Sequence, residues 1–116
     1  MDKFGINNFD YREGGYTTNG IRYSIESLIE ASKDLISFDL PLAGIDISAT
    51  PWGGNNISNF IFQFKRINAC NFDYPIILDS TGYICDGWHR VAKAIIEGRD
   101  TIKAKRLTVM PEGTKI

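Results

Sequence analysis

Apolar residues recur along this chain with two different periods, and the switches between them lay out its elements. Ile25, Leu28, Ile29, Ser32 and Leu35 follow helical spacing, so Ser24 to about Leu35 reads as an amphipathic helix with Ser24 as its N-cap. Phe38 to Leu42 is short and apolar and predicts a strand that ends near Pro41. Ile45-Asp46-Ile47 either continues that strand or forms a second short one. Thr50-Pro51-Trp52-Gly53-Gly54-Asn55-Asn56 is a loop by its turn residues. Asn56 can then cap a second helix. Its Ile57, Phe60, Ile61, Phe64 and Ile67 form a strong apolar stripe, expected to face the core, and Lys65 and Arg66 lie in its last turns, where cations suit the macrodipole.

The second half changes period twice. Tyr74-Pro75-Ile76-Ile77-Leu78-Asp79, the turn Ser80-Thr81-Gly82 and Tyr83-Ile84-Cys85 predict a hairpin, with Pro75 at the strand start, where its missing N–H does least harm. Trp88, Val91, Ala92, Ile95 and Ile96 form a third helical stripe that Gly98 ends as a left-handed C-cap. Thr101 to Val109 alternates with a period near two and predicts a strand with one polar face carrying Lys103 and Arg106, with Lys105 breaking the pattern. The first stretch, Met1 to Tyr23, is rich in Gly, Asn and Tyr, with Gly14-Gly15 and Asn19-Gly20 as turn signals. It is either a hairpin or an irregular arm, and Phe4, Phe9, Tyr11 and Tyr16 suggest that it packs on the domain or on a second copy. The resulting expectation is an α+β fold, a small mixed sheet packed with about three helices, divided into an arm (1–23), one domain (24–110) and a frayed tail (111–116).

The 116 residues suffice for one ordinary domain, and 43% hydrophobic residues can supply its core. Thirteen basic and 14 acidic residues give a net charge of −1, so no general attraction to nucleic acid or anionic lipid follows, although a local basic patch is compatible with that total. Cys70, Cys85 and the single His89 do not form a zinc pattern, and buried, inert thiols are expected. Met1 to Asn8 lacks the apolar segment of a secretory leader, and no apolar run reaches the ~20 residues that span a bilayer. A cytoplasmic protein with reduced thiols and no membrane contact is therefore expected.

Chemistry concentrates in Ile84-Cys85-Asp86-Gly87-Trp88-His89-Arg90, where a strand ends, a glycine follows and a helix begins. The first amides of a helix lack intrahelical partners and sit at the positive end of its dipole, which favours an anion. Gly87 removes a Cβ that would keep a phosphate from the backbone, Arg90 supplies a planar fork for its oxygens, and His89 adds a donor or a proton-transfer group. Asp86 has three available roles: capping the helix, holding His89 or Arg90, or meeting a metal that accompanies a nucleotide. Trp88 is expected in the core. Trp52, in its Gly-rich loop, is either a structural turn residue or a cover for a ligand.

Pro75-Ile76-Ile77-Leu78-Asp79, Gly82-Tyr83-Ile84 and Asp86-Gly87-Trp88-His89-Arg90 together resemble the signature of ParB-like N-terminal domains and sulfiredoxins. The resemblance runs from Phe38 to Leu107, with the helix start as its sharp part. It implies that Gly87, His89 and Arg90 bind the phosphates of a nucleoside di- or triphosphate, with or without Mg²⁺. Members of that superfamily include CTP-dependent DNA-partition proteins, ATP-dependent sulfinic-acid reductases and a free-serine kinase. Two departures narrow the implication. The position of the sulfiredoxin cysteine is Trp88 here, so sulfinic reduction is not expected. No helix-turn-helix region follows, so clamp-type DNA partitioning is not expected either. What remains is a nucleotide- or phosphate-binding domain with Asp86 and His89 as catalytic candidates and Gly87, His89, Arg90 and Trp52 as ligand contacts, carrying out phosphotransfer or nucleotide hydrolysis if there is turnover. The alternative is a non-catalytic regulatory module of a phage or plasmid-type element that contacts DNA or a protein and pairs as a homodimer. A nuclease lacks support, because no paired-carboxylate cluster stands out.

Overall fold

Asn19 and Gly20 both take positive φ, 51° and 75°, the backbone that a two-residue hairpin turn requires. They join β1 (Gly15–Thr18) to β2 (Ile21–Ser24), so the described part of the arm is a hairpin. The computed structural model describes residues 5 and 14–116; Phe4, Phe9 and Tyr11 lie outside the described residues. Tyr16 does pack, stacking on Tyr23 with ring centroids 6.4 Å apart.

The expected frayed tail is instead a strand. β7 (Thr114–Lys115) pairs antiparallel with β2, Ile21 opposite Lys115, and Ile116 N–H donates to Gly20 C=O at 3.0 Å. Arm and tail thus share one three-stranded sheet. Such pairing joins the two ends of the chain and leaves no local signal in either.

Ser24 caps α1 (Ile25–Ser32), its Oγ accepting from Ser27 N–H at 3.1 Å. The helix stops short of Leu35. β3 (Phe38–Pro41) follows, and then a 3-10 turn over Leu42–Gly44. Ile45-Asp46-Ile47 is not a strand. The Asp46 carboxylate takes both Ser48 N–H (2.9 Å) and Ser48 Oγ–H (2.6 Å), a local bond that competes with strand pairing.

The second sheet has four strands in the order β3-β6-β4-β5, from β4 (Ile76–Leu78), β5 (Ile84–Asp86) and β6 (Thr101–Arg106). β4 and β6 run parallel and the other neighbours antiparallel, so the sheet is mixed. Cores lie on both its faces, which explains the unbroken Ile-Ile-Leu of β4. Ile76 and Leu78 join Leu42, Val91, Ala94, Ile102 and Ala104 on one side. Ile77 joins Tyr23, Ile25, Leu28, Cys85 and Leu107 on the other. Asp79 anchors the turn after β4. Its buried carboxylate accepts from Thr81 N–H and Oγ1–H, Tyr83 N–H and the Tyr16 hydroxyl (2.8 Å). Burial opposes ionisation of Asp79, but the bonds from Thr81, Tyr16 and Tyr83 prevail and hold its carboxyl below the usual range.

α3 (Trp88–Ile96) packs on the first core through Val91 and Ala94, with Trp88 against its edge. Ile95 and Ile96, expected on the buried stripe, are exposed. Gly98 ends the helix as predicted, at φ 74°: Gly98 N–H donates to Ile95 C=O and Arg99 N–H to Ala94 C=O.

α2 (Ile57–Ala69) overturns the strongest expectation of the pattern. Asn56 caps it as predicted, accepting from Asn59 N–H at 2.8 Å. Four of the five stripe residues, however, point outward: Ile57 is 73% exposed and Phe60 65%, and Ile61 and Phe64 are exposed as well. The inner, half-buried face is Phe62, Gln63, Arg66 and Ile67. Polar bonds hold it to α3. Lys93 Nζ donates to the carbonyls of Cys70 (2.6 Å) and Asn68 (3.2 Å) at the negative end of α2. Three helices and two sheets, one of them mixed, make this an α+β domain. Among the described residues no helix is long and apolar enough to cross a membrane.

Candidate functional site

Strand β5 ends beside the start of β4, with Ile77 opposite Asp86, and α3 springs from that point. Gly87 makes the turn at φ 114°. A Cβ there would come within 2.8 Å of Ile76 Cβ and closer still to Ile76 Cγ2. The glycine is therefore required by the close approach of helix and strand. The predicted reason, room for a phosphate, is not the one this contact supplies. Gly87 also occupies the N-cap position, so Asp86 is not the cap. Asp86 takes another of its predicted roles and holds Arg90, whose Nη2 donates to Asp86 Oδ2 at 2.9 Å.

His89 turns away from Asp86. Its Nε2–H donates to Gln63 Oε1 at 2.7 Å, and its ring stacks on Trp52 at 4.4 Å between centroids. Burial pushes its pKa down to about 4, helped by the Arg66 and Arg90 guanidiniums, so the imidazole is neutral near pH 7. The two predicted catalytic groups thus have separate partners. Trp52 covers His89 and is not part of the wall described next.

A cavity of about 860 Å³ opens over this end of the sheet, bounded by α1, the second half of α2 and the start of α3. Gly87, His89 and Arg90, three of the expected ligand contacts, line it together. Its wall also carries residues that the motif did not flag. Five cationic residues line it, Lys33, Lys65, Arg66, Arg90 and Lys105, against the single carboxylate Asp86 among the described lining residues, but the Lys33 ammonium pairs with Glu30 outside the wall. Burial lowers the Arg66 pKa to about 10, which leaves it fully cationic at neutral pH. Lys105 Nζ donates to Ser32 C=O (3.1 Å) and Lys33 C=O (3.4 Å), closing the C-terminus of α1. Its neighbours on β6 serve elsewhere: Arg106 binds Ser80 C=O, and Lys103 pairs with Asp39. Lys65 and Arg66 were legible as cations at a helix end, but their place in the cavity depends on how α2 is turned.

Arg90 Nε is buried and has no hydrogen-bond partner. A buried guanidinium N–H without an acceptor costs about 1–3 kcal/mol, and this one is closed to a ligand in the cavity as it is to water. A dication is poorly served here. Asp86 already serves Arg90, and no three His, Cys, Asp or Glu side chains converge among the described residues. Cys70 lines the same wall with its Sγ–H on Ile67 C=O at 3.1 Å, and burial raises its pKa. Cys85 is pushed up to about 12 by burial and the nearby carboxylates Asp79 and Asp86. Neither thiol is a ready thiolate. Comparison with protein-family models, with curated proteins and with solved structures finds no match to this chain.

Proposed function

We propose that this chain is a phosphate-binding domain whose ligand seats an anionic group between the start of α3 and the guanidiniums of Arg66 and Arg90. One observation carries the reading: in a chain of net charge −1, one cavity is lined by Lys65, Arg66, Arg90 and Lys105 with Asp86 as the one carboxylate among its described lining residues, while the lining residue Lys33 gives its ammonium to Glu30. Cations gathered round one recess repel one another where counter-charge is short, and a bound anion relieves that repulsion. The likeness of Asp86-Gly87-Trp88-His89-Arg90 to the ParB-like motif supports it. Nucleoside di- and triphosphates are the first ligands to try, in a cytoplasmic setting. His89 serves as a neutral hydrogen-bonding wall, and Asp86 sets the Arg90 fork.

Thermal melting with ATP, ADP, CTP, GTP and inorganic phosphate, with and without Mg²⁺, tests this. A ligand that binds the native state raises the melting temperature by mass action. Arg66→Ala should remove the rise while leaving the fold intact. It is a cleaner variant than Arg90→Ala, which strands the Asp86 carboxylate. No rise with any phosphate compound at millimolar concentration would refute the proposal. A second reading, a non-catalytic protein-binding module, draws on the exposed apolar stripe of α2. Sedimentation that shows association broken by Phe60→Asp would favour it.

A further inference from the structure

The floor of the cavity has a pattern that its charge count hides. Lys105, Ile77 and Asp86 lie in one row across β6, β4 and β5, and all three line the cavity. Neighbouring strands are about 4.8 Å apart, so the outer two residues of the row stand roughly 10 Å apart. Arg90 and the α3 start cluster with Asp86 at one end, and Lys105 stands at the other, its Nζ on the carbonyls of Ser32 and Lys33. The interval between them is apolar. Ile77 forms its floor, Ile25 and Ile29 come from α1, and Phe62 and Pro75 close it from the α2 side. None of these five side chains can hydrogen-bond a sugar hydroxyl or a base edge. An inorganic phosphate or a polyphosphate chain would leave this middle uncovered, whereas cavities of roughly 300–1,000 Å³ suit organic molecules of drug-like size.

Resting on the anion reading above, we propose that the ligand is a small soluble organic phosphate with an apolar body, a phosphate monoester of an apolar alcohol. The phosphate lies at the Arg66–Arg90 end and the body over Ile77 and Ile29. Ser32, Asn71 and Tyr74 also line the cavity, so a nucleotide is the competitor that the test has to exclude.

The test compares methyl phosphate, hexyl phosphate, hexanol and CTP by amide NMR titration of the whole chain. Burying a methylene gains about fourfold in affinity, so even partial burial of the hexyl chain predicts at least about 30-fold tighter binding of hexyl than of methyl phosphate. Ile29 is 45% exposed, and Ile29→Ser should fold normally. It should weaken hexyl phosphate about three- to tenfold and leave methyl phosphate unchanged, while Arg66→Ala weakens both. Equal binding of methyl and hexyl phosphate, or tighter binding of CTP than of hexyl phosphate, overturns this inference and leaves the anion reading standing. Hexanol binding as tightly as hexyl phosphate, or no binding by any phosphate compound, overturns both.

Discussion

α2 and α3 carry apolar stripes of similar period, and only α3 sinks part of its stripe into a core, its last residues Ile95 and Ile96 staying exposed. Val91 and Ala94 of α3 are buried in the first core, while Ile57, Phe60, Ile61 and Phe64 of α2 face outward. The difference lies in what each helix offers its neighbours. α3 begins at a glycine that lets it settle on Ile76, and it is joined to the sheet by the strands on either side of it. α2 sits outside α3 and is held by Lys93 on its last carbonyls and by Gln63 against His89. Periodicity therefore identifies a face, and the choice of the face that is buried belongs to tertiary packing. With Phe62, Gln63, Arg66 and Ile67 inward, α2 brings Arg66 to the cavity.

The sharpest test of the contrast is a charge in each stripe. Val91 is 1% exposed, and Val91→Asp should cost at least about 4 kcal/mol or prevent folding, read by urea denaturation. Next comes the start of α3. Gly87→Ala should cost about 2–4 kcal/mol in the same assay, because it adds positive-φ strain to a clash with Ile76. A cost below about 1 kcal/mol would mean that the helix does not approach β4 so closely.

The link between the helices should show in the pH dependence. The folded-state pKa of His89 is lowered to about 4 from 6.5, so the unfolded chain binds more protons between those values. The His89 contribution to stability is complete above pH 6.5 and falls as the pH drops toward 4. Allowing for solvent screening of a partly exposed ring, the loss is up to about 2 kcal/mol. His89→Gln should flatten the stability profile in that window. An unchanged profile would place the imidazole in water, away from Trp52 and both guanidiniums. The smallest effect is expected on α2, where Phe60→Asp should alter stability by less than about 0.5 kcal/mol. A loss comparable to that of a core substitution would show that something covers the outward stripe in solution.

Much of the local structure was legible because its causes are local. Ser24 and Asn56 cap the helices that they were expected to cap, Asn19-Gly20 makes its hairpin turn, and Gly98 takes its left-handed place. The turn into α3 was legible for the same reason, and Gly87, His89 and Arg90 do share one cavity. What escaped depends on contacts distant in sequence. Nothing near Thr114 announces a partner at Arg22, and Asp46 gave its side chain to Ser48 where a strand was expected. Lys105 joins the cavity wall only once the end of α1 lies over it, as its bonds to the Ser32 and Lys33 carbonyls show. The stacking of Trp52 on His89 likewise unites two segments that the sequence read as separate ligand contacts.

The most direct measurement is an amide NMR titration of ¹⁵N-labelled protein with a phosphate compound, in the wild type and in Arg66→Ala. The predicted result is saturable shifts centred on Gly87, Trp88, His89 and Arg90 that vanish in a variant whose remaining spectrum is unchanged. Shifts absent from those amides, or retained in full without the Arg66 guanidinium, would contradict an anion seat at the start of α3.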